Sequence, residues 1–221
     1  MKDLSKIKFW LFDLDNTLYS GDTKVFDQVD KKMSKFISEK LNVSLEEAKK
    51  IQKNYFHEYN TTLNGMIKNH DIDAAEFLEF VHDVDLEFLK KDDALKVEIE
   101  KLKGKKIIFT NGSKAHASNV TSRIGIEQLF DGVFDIVDSD FYPKPSMEPY
   151  KKIIENYKIV PEYCIFFEDI ARNLKPAYEL GMKTVWIENN EPWAAKYSDE
   201  EFVNYKTGSL TNFLKEINEH R

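Results

Sequence analysis

The sequence predicts an α/β fold, a doubly wound parallel sheet with an inserted helical cap domain. Five short apolar segments have the length and the β-branched or aromatic content of buried strands, and none alternates cleanly between apolar and polar residues. Strands covered on both faces, as in a parallel sheet, have this composition. Helical patterns separate the last four segments, which gives the β-α-β-α order of a doubly wound sheet with right-handed crossovers.

The predicted elements of the sheet layer follow one another in a regular order. The strands are expected at residues 7–12, 106–109, 133–137, 163–167 and 184–187. Four helices are predicted from capping residues and terminal glycines: one from Ser113 to Gly125, one from Ser146 through Ile154, one from Leu174 to Leu180 before Gly181, and one from Ser209 through Ile217. We expect the last of these to pack on the edge of the sheet.

About ninety residues without a strand candidate separate the first strand from the second, which is too long for a plain crossover. A capping box at Ser44 to Glu47 opens one helix, and apolar residues at helical spacing follow Asp73. A polar segment containing Gly65 is expected to link two helices. We therefore predict a helical cap at residues 20–92, inserted into a discontinuous core formed by residues 1–19 and 93–221.

Composition excludes several classes of protein. The 221 residues include 32 Lys and Arg against 39 Asp and Glu, a net charge of −7, which disfavours a nucleic-acid polymer as partner. No apolar segment approaches the roughly 18 residues of a membrane span. The single cysteine, Cys164, permits no intrachain disulfide, and the short apolar stretch near the N-terminus is too short for a signal peptide, so a cytoplasmic location is expected. The oligomeric state is left open.

Polar residues follow four of the predicted strands. They are Asp13-Leu14-Asp15-Asn16-Thr17, then Thr110-Asn111-Gly112, then Lys144 before Pro145, then Glu168-Asp169. Ligands of open parallel sheets bind at the carboxyl ends of the strands, so these residues are expected at one edge. Mg²⁺ prefers oxygen ligands and keeps several waters, and Asp13 and Asp169 can supply two carboxylates to it. The set suits a hard cation together with a phosphate.

These residue types match the needs of phosphate-monoester hydrolysis. The reaction is extremely slow without a catalyst, and a carboxylate nucleophile that forms an aspartyl-phosphate splits its barrier in two. Lys144, the Thr110 hydroxyl and backbone N–H groups near Asn111 can stabilise the charge on the phosphate oxygens. Asp15 can donate a proton to the leaving oxygen and later activate water.

The same residues, with Asn173, resemble in order and spacing the four motifs of the haloacid dehalogenase superfamily, and the insertion occupies the place of its subfamily I cap. The resemblance implies Asp13 as nucleophile and Asp15 as acid/base. It implies Thr110, Asn111 and Lys144 as phosphate-binding residues. It also implies Mg²⁺ held by Asp13, the Asp15 carbonyl and Asp169. Glu168 stands where many members have Asp, and we expect it to act through water.

Further segments resemble the pyrimidine 5′-nucleotidase branch. They are Tyr19, residues 59–66 and 70–73, and Phe109-Thr110-Asn111-Gly112 with Lys114 and His116. This branch implies a Mg²⁺-dependent phosphatase acting on UMP and CMP. The alternatives are a phosphatase or mutase for another small metabolite, such as phosphoglycolate, pyridoxal phosphate or a phosphosugar, and a non-catalytic binding module. Asp15 disfavours carbon–halogen hydrolysis.

Substrate selection is expected from a small set of polar and aromatic residues: Tyr59, Asn64, His70, His116 and Arg172. Each also has a structural interpretation, in helix packing, in a capped turn, in the first turn of a helix or on the surface. His57, His82 and His220 are predicted to be surface residues. Cys164 is predicted to be a small buried apolar residue.

Overall fold

One parallel sheet forms the centre of the molecule in the computed structural model, which describes residues 4–220. Its strands are β1 (Phe9–Phe12), β2 (Lys105–Phe109), β3 (Gly132–Phe134), β4 (Cys164–Glu168), β5 (Lys183–Ile187) and β6 (Tyr205–Thr207). Their spatial order is β3-β2-β1-β4-β5-β6, and all neighbours are parallel. The chain therefore builds outward from β1 to β3 and then returns to place β4 on the other side of β1.

Residues 4–220 also form ten α-helices. These are α1 (Val25–Leu41), α2 (Leu45–Tyr59), α3 (Thr62–His70), α4 (Ala74–His82), α5 (Asp93–Lys101), α6 (Lys114–Ile124), α7 (Met147–Tyr157), α8 (Leu174–Glu179), α9 (Pro192–Ala195) and α10 (Leu210–Glu219). Short 3₁₀ turns occur at Gly21–Thr23, Glu127–Leu129, Pro161–Tyr163 and Ala171–Asn173. No helix in this part of the chain is long and apolar enough to cross a membrane.

Helices cover both faces of the sheet, which confirms the doubly wound prediction. Successive side chains of a strand point to opposite faces. Trp10 and Phe12 lie in one apolar layer with α5, α6 and α10, whereas Leu11 lies in the opposite layer with α7 and α8. Phe12 stacks on Phe167 of β4 with ring centroids 4.9 Å apart. Both layers are therefore built from strands that are apolar throughout.

The first strand begins at Phe9 rather than at residue 7, and the sheet differs from the prediction most clearly at two other strands. The third strand ends at Phe134 instead of residue 137, because the Asp135 carboxylate accepts the N–H groups of Val137 and Asp138 at 3.1 and 3.0 Å and turns the chain. The sixth strand was missed by the sequence reasoning. It is three residues long and partly exposed, and it is defined by its pairing with β5 rather than by its own composition.

The four helices α1 to α4 pack around an apolar cluster of their own. Val29, Ile37, Met66 and Phe77 lie in this cluster, and Ile136 from the segment after β3 joins it. The inserted helices thus touch the core, while α5 packs on α10 beside the sheet. The division of the chain at residues 19/20 and 92/93 stays a prediction.

The polar segment containing Asn64, Gly65 and His70 was expected to link two helices, and this was wrong, because residues 62–70 form α3. The Thr61 side chain caps the helix by accepting the Asn64 N–H at 3.2 Å. Gly65 lies against α2, where a Cβ atom would stand 2.4 Å from the Cβ of Tyr55. The glycine therefore permits close helix packing and does not mark a loop.

Candidate active site

The candidate site lies at the carboxyl ends of β1, β2 and β4, where the strand order reverses. Sheet hydrogen bonding continues one residue past β1 and β2, since the Asp13 N–H donates to the Phe167 carbonyl at 2.9 Å and the Thr110 N–H donates to the Phe134 carbonyl at 3.1 Å. The backbone of both residues is thereby fixed. Open α/β sheets bind ligands at this kind of reversal.

Lys144 forms the electrostatic centre of the site. Its ammonium group donates to Asp13 Oδ1 at 2.7 Å, to Glu168 Oε2 at 2.6 Å and to the Phe109 carbonyl at 2.8 Å, and its side chain is only 1% exposed. All three donors of the ammonium are used. Burial alone would lower the pKa of Lys144, but the two carboxylates more than offset this effect and raise it. Lys144 is therefore a permanent cation within the site.

Asn111 and Thr110 shape the segment beside Lys144. The Asn111 side chain accepts the Lys144 N–H at 2.8 Å and donates to the Lys144 carbonyl at 3.3 Å, so it holds the lysine's own backbone. The Thr110 hydroxyl oxygen accepts the Gly112 N–H at 2.9 Å. Both residues line the cavity described below. The Asn111 amide is thus engaged in positioning Lys144.

Three buried carboxylates crowd the same edge. Asp13, Glu168 and Asp169 each offer one oxygen within 4.8 Å of the others. Burial and the charge of Glu168 raise the pKa of Asp13 to about 7, even though Lys144 acts in the opposite direction. Burial, Glu168 and Asp13 raise the pKa of Asp169 well above its usual range. This excess of negative charge, carried by hard oxygen donors, fits a divalent cation such as Mg²⁺.

Asp169 is oriented by one residue of the fifth strand and one that closely follows it. The Trp186 indole N–H donates to the Asp169 backbone carbonyl at 2.7 Å. The Asn189 amide donates to Asp169 Oδ2 at 2.7 Å. Hydrogen bonds behind a metal-binding carboxylate commonly fix its orientation.

Asp15 is held from two sides. Its Oδ1 atom accepts the Tyr19 hydroxyl at 2.5 Å and lies 2.8 Å from His116 Nε2. Burial raises the pKa of Asp15, but the charge and hydrogen bond of His116, with the Tyr19 hydrogen bond, lower it to a net value of about 2. Burial lowers the pKa of His116, and the Asp15 carboxylate more than offsets this effect and raises it. The hydrogen bond between Asp15 and His116 thus favours the charged form of each group.

His82 was expected on the surface, and this was wrong. It is the last residue of α4, which ends against the core, and its ring stacks on His116 with centroids 4.4 Å apart. Its Nδ1 atom lies 3.0 Å from the Ser113 hydroxyl. Burial, followed by the charge of His116, lowers the pKa of His82 to about 3, so this histidine is neutral.

A cavity of about 350 Å³ opens over these groups, between the core and the inserted helices. Its walls are largely apolar: Phe26, Val29, Met33, Phe56, Leu63, Phe77, Leu78, Val81 and Trp193. Phe56 meets Trp193 edge-to-face at 5.2 Å, and the Arg172 guanidinium lies 4.8 Å from the centre of the Phe56 ring. Asp30, Gln52 and Lys53 add polar groups to the lining. The floor is charged and the roof is apolar and aromatic.

Comparison with known proteins identifies the family. A model of the haloacid dehalogenase-like hydrolases matches residues 7–181. The chain belongs to the haloacid dehalogenase-like hydrolase family. It is 31% identical to phosphate metabolism protein 8 of Saccharomyces cerevisiae over 95% of this chain and 70% of the yeast protein. It is 27% identical to a glyceraldehyde 3-phosphate phosphatase of Methanocaldococcus jannaschii over 94% and 96% of the two chains.

Solved structures of the family share the fold. A phosphatase of this superfamily from Thermococcus onnurineus superposes with a TM-score of 0.62 at 21% identity, covering 96% of this chain and 98% of that one. The hydrolase YfnB of Bacillus subtilis, whose structure contains magnesium, superposes with a TM-score of 0.59 at 18% identity, covering 96% and 99%. Together with the parallel sheet, these similarities confirm the predicted fold class.

The structure places the predicted site residues of this family member in two groups. Asp13, Asp15, Thr110, Asn111, Lys144, Glu168 and Asp169 all line the cavity. Among the residues proposed to select the substrate, His116 contacts Asp15, and Arg172 contacts Phe56 in the cavity wall. Neither His116 nor Arg172 is part of the cavity lining, but these contacts place both beside it.

Three other proposed selecting residues lie outside the cavity lining. Asn64 donates to the Tyr59 carbonyl at 3.1 Å, and His70 Nε2 lies 2.6 Å from the Tyr55 hydroxyl. These contacts are internal to the inserted helices. The helical conformation of residues 62–70 accounts for this arrangement, because it directs these side chains toward α2.

Three residues around the site were missed by the sequence reasoning. Asp135 accepts the Lys114 N–H at 2.8 Å and so fixes the start of α6, while Asn189 orients Asp169. Both closely follow strands, and inspection of the ends of β3 and β5 would have found them. His82 has no such signal, because its position depends on how α4 meets the core.

Proposed function

We propose that this protein is a Mg²⁺-dependent phosphomonoesterase that hydrolyses the pyrimidine nucleoside 5′-monophosphates UMP and CMP through an aspartyl-phosphate on Asp13. The observation that carries the proposal is the convergence of Asp13, Asp15 and Lys144 with a carboxylate cluster under a cavity of nucleoside size. Membership of a hydrolase family, and relatives that include a named phosphatase, support the reaction type. The intact Asp13 and Asp15 disfavour a purely binding role.

The reaction proceeds in two displacements. A carboxylate oxygen of Asp13 attacks phosphorus, the bond between phosphorus and the leaving oxygen breaks, and the Asp15 carboxyl, which enters this step protonated, gives that oxygen its proton. Water then attacks phosphorus while Asp15 accepts a proton from it. The bond between phosphorus and Asp13 breaks, which releases inorganic phosphate and restores both aspartates.

Charge stabilisation comes from groups that are already in place. Lys144 would bring positive charge next to the phosphate, and the backbone N–H groups near Asn111 would donate to its oxygens. Asp13, Asp169 and the Asp15 carbonyl would hold Mg²⁺, with Glu168 acting through water. When bound, the ion neutralises negative charge on the phosphate.

The cavity favours a nucleoside over a smaller leaving group. Phe56 and Trp193 present aromatic edges and faces on which a planar base can stack. A three-carbon sugar would leave most of the roughly 350 Å³ unfilled. Asp30, which accepts from the Gln52 amide at 2.6 Å, offers a polar partner for the sugar or base. The pyrimidine preference itself rests on the resemblance of the sequence to that branch.

A phosphate-release screen with Mg²⁺ tests the proposal. UMP and CMP should be the best substrates among UMP, CMP, AMP, GMP, glyceraldehyde 3-phosphate, phosphoglycolate and pyridoxal phosphate. Asp13→Asn, the blank, should lose activity by about a thousand-fold or more, since the nucleophile is gone. Hydrolysis of AMP and GMP as fast as that of UMP and CMP would contradict the pyrimidine preference. Conversion of a phosphosugar without release of phosphate would indicate a mutase.

Metal dependence is tested separately by thermal unfolding. Because a ligand that binds only the folded state stabilises it, Mg²⁺ should raise the Tm of the wild-type protein, and a chelator should abolish turnover. Asp169→Asn should remove the Mg²⁺-induced shift while the protein stays folded. Asp199→Asn, at an exposed carboxylate, is the matched control and should keep the full shift. An undiminished shift in Asp169→Asn would contradict the proposed site.

A further inference from the structure

We propose that His82 and His116, the histidine pair, position Asp15 for proton transfer and make its alignment depend on contact between the inserted helices and the core. In this arrangement Oδ2 is the Asp15 oxygen that exchanges the proton with the leaving group. The inference rests on the acid/base role of Asp15 given above, and it assigns to the pair a positioning role.

Both hydrogen bonds of the Asp15 carboxyl group are made by the same oxygen atom, Oδ1. Oδ1 accepts the Tyr19 hydroxyl at 2.5 Å and pairs with His116 Nε2 at 2.8 Å. Within residues 4–220, Oδ2 has no hydrogen-bond partner, and Asp15 lines the cavity. Two partners on Oδ1 restrain the rotation of the carboxyl group and leave Oδ2 available to a substrate in the cavity.

The His116 ring is held by packing as well as by its hydrogen bond to Asp15. The side chain is 1% exposed, and its Nδ1 atom is buried without a hydrogen-bond partner in the described part of the chain. The nearly parallel stack with His82, at an interplanar angle of 12°, adds a restraint on the orientation of the ring.

His82 brings this constraint from the inserted helices. It ends α4, and its Nδ1 atom lies 3.0 Å from the hydroxyl of Ser113. Ser113 is the N-cap residue of α6, the helix that carries His116. The stack and the Ser113 contact therefore tie the end of α4 to the same helix turn of the core.

Gly112, in the turn that follows Thr110, lies near both rings. A Cβ atom added there would make ordinary van der Waals contact with His82 Nε2 at 3.5 Å and with His116 Cδ2 at 3.6 Å. The pair therefore lies beside this turn, next to the expected phosphate. If the inserted helices move away, His116 loses the surface against which its ring is stacked, and Asp15 loses one of its two fixed partners.

Leaving-group dependence separates this role from general damage to the site. Phenyl phosphate and 4-nitrophenyl phosphate are similar in size, but the phenolate of the first is far more basic and needs a proton as it departs. Single-turnover release of the phenol isolates the step in which Asp15 acts as an acid. Neither probe depends on the nucleotide preference proposed above.

We expect His116→Leu to slow single-turnover release from phenyl phosphate by roughly a hundred-fold, in the range of a lost general acid, and from 4-nitrophenyl phosphate by less than about five-fold. The KM for both should change little. His116→Gln keeps an N–H donor and should restore most of the rate. His82→Leu should lower the phenyl phosphate rate by about ten-fold, and His82→Phe, which keeps a flat ring, should restore it.

The control is His220→Leu, at an exposed histidine of the core, which should match the wild-type protein on both probes. All variants are checked for thermal unfolding. An equal loss on both probes in His116→Leu would overturn the positioning role, and a wild-type rate in His82→Leu would overturn the link to the inserted helices. Failure of the wild-type protein to hydrolyse 4-nitrophenyl phosphate would overturn the proposed phosphatase function and this inference together. Turnover without pyrimidine preference would overturn only the substrate assignment.

Discussion

Single side chains in this site are fixed by several partners at once. Lys144 has three acceptors, and the Asn111 amide binds the lysine backbone on both sides. The residue types and their positions after strands were predictable, because each follows an apolar segment. The partners were not, since Asn111 and Lys144 are 33 residues apart and their contact depends on the path of the intervening chain.

The buried Cys164, which lies outside the site, allows a test of how burial affects the reactivity of a single side chain. Cys164 lies in β4 with no exposed surface, and burial raises the pKa of its thiol. We expect the native protein to react with a thiol reagent at least about a hundred-fold more slowly than the unfolded protein, because the thiolate is the reactive form. Glu201→Cys, at an exposed position, should react at once in the folded state. Equal labelling rates for Cys164 and Cys at position 201 would contradict the burial.

Whole helices and strands were predicted with varying success, and the reason differs from case to case. Ser44 caps α2 and Ser113 caps α6 as their local sequences indicate. The third strand was drawn too long because the apolar segment continues past Asp135, whose carboxylate ends the strand. In α3, the glycine at position 65 suggested a loop, although it is there because α2 packs too closely for a larger residue. Local sequence patterns therefore predicted where helices begin better than they predicted where helices pack against one another.

Gly65→Ala tests the contact between α2 and α3. The new Cβ atom would lie 2.4 Å from both Cβ and Cγ of Tyr55, so the helices must separate. We expect a loss of about 1–3 kcal/mol in the free energy of unfolding, typical of overpacking, as measured by urea denaturation. Alanine would otherwise favour a helix. A more stable variant would therefore contradict the close packing.

Gly208→Ala is the matched control for this measurement. There the nearest atom to the new Cβ is the end of the flexible Glu188 side chain, at 3.2 Å, which can move aside. The change in the free energy of unfolding should be clearly smaller than that of Gly65→Ala.

At the scale of the whole molecule, the inserted helices and the core meet over the cavity. Phe26, Phe56 and Val81 of the inserted helices face the strand ends, and Ile136 of the core enters the apolar cluster of those helices. The site therefore has a charged floor from the core and a roof formed mainly by apolar side chains of the inserted helices, to which the core adds Trp193.

Ile136→Ala tests this contact. The side chain is 2% exposed, and truncation of a buried isoleucine typically costs about 2–5 kcal/mol, so urea unfolding should show a loss in that range. Limited proteolysis should also cut the inserted helices faster. The neighbouring Val137 is 50% exposed, and Val137→Ala should change the free energy of unfolding by no more than about 0.5 kcal/mol. Equal effects of the two variants would contradict the packing of Ile136.

The sequence by itself determined the parallel sheet, the helical insertion and the carboxylates and lysine at the strand ends, because strand composition and strand-end positions are local properties of the chain. Only the tertiary structure decided that His82 reaches His116 and that Tyr59, Asn64 and His70 lie away from the cavity. These outcomes depend on how separate helices pack against the core and against one another. Packing of this kind is set by the shapes of surfaces that are distant in the chain, which no local pattern records.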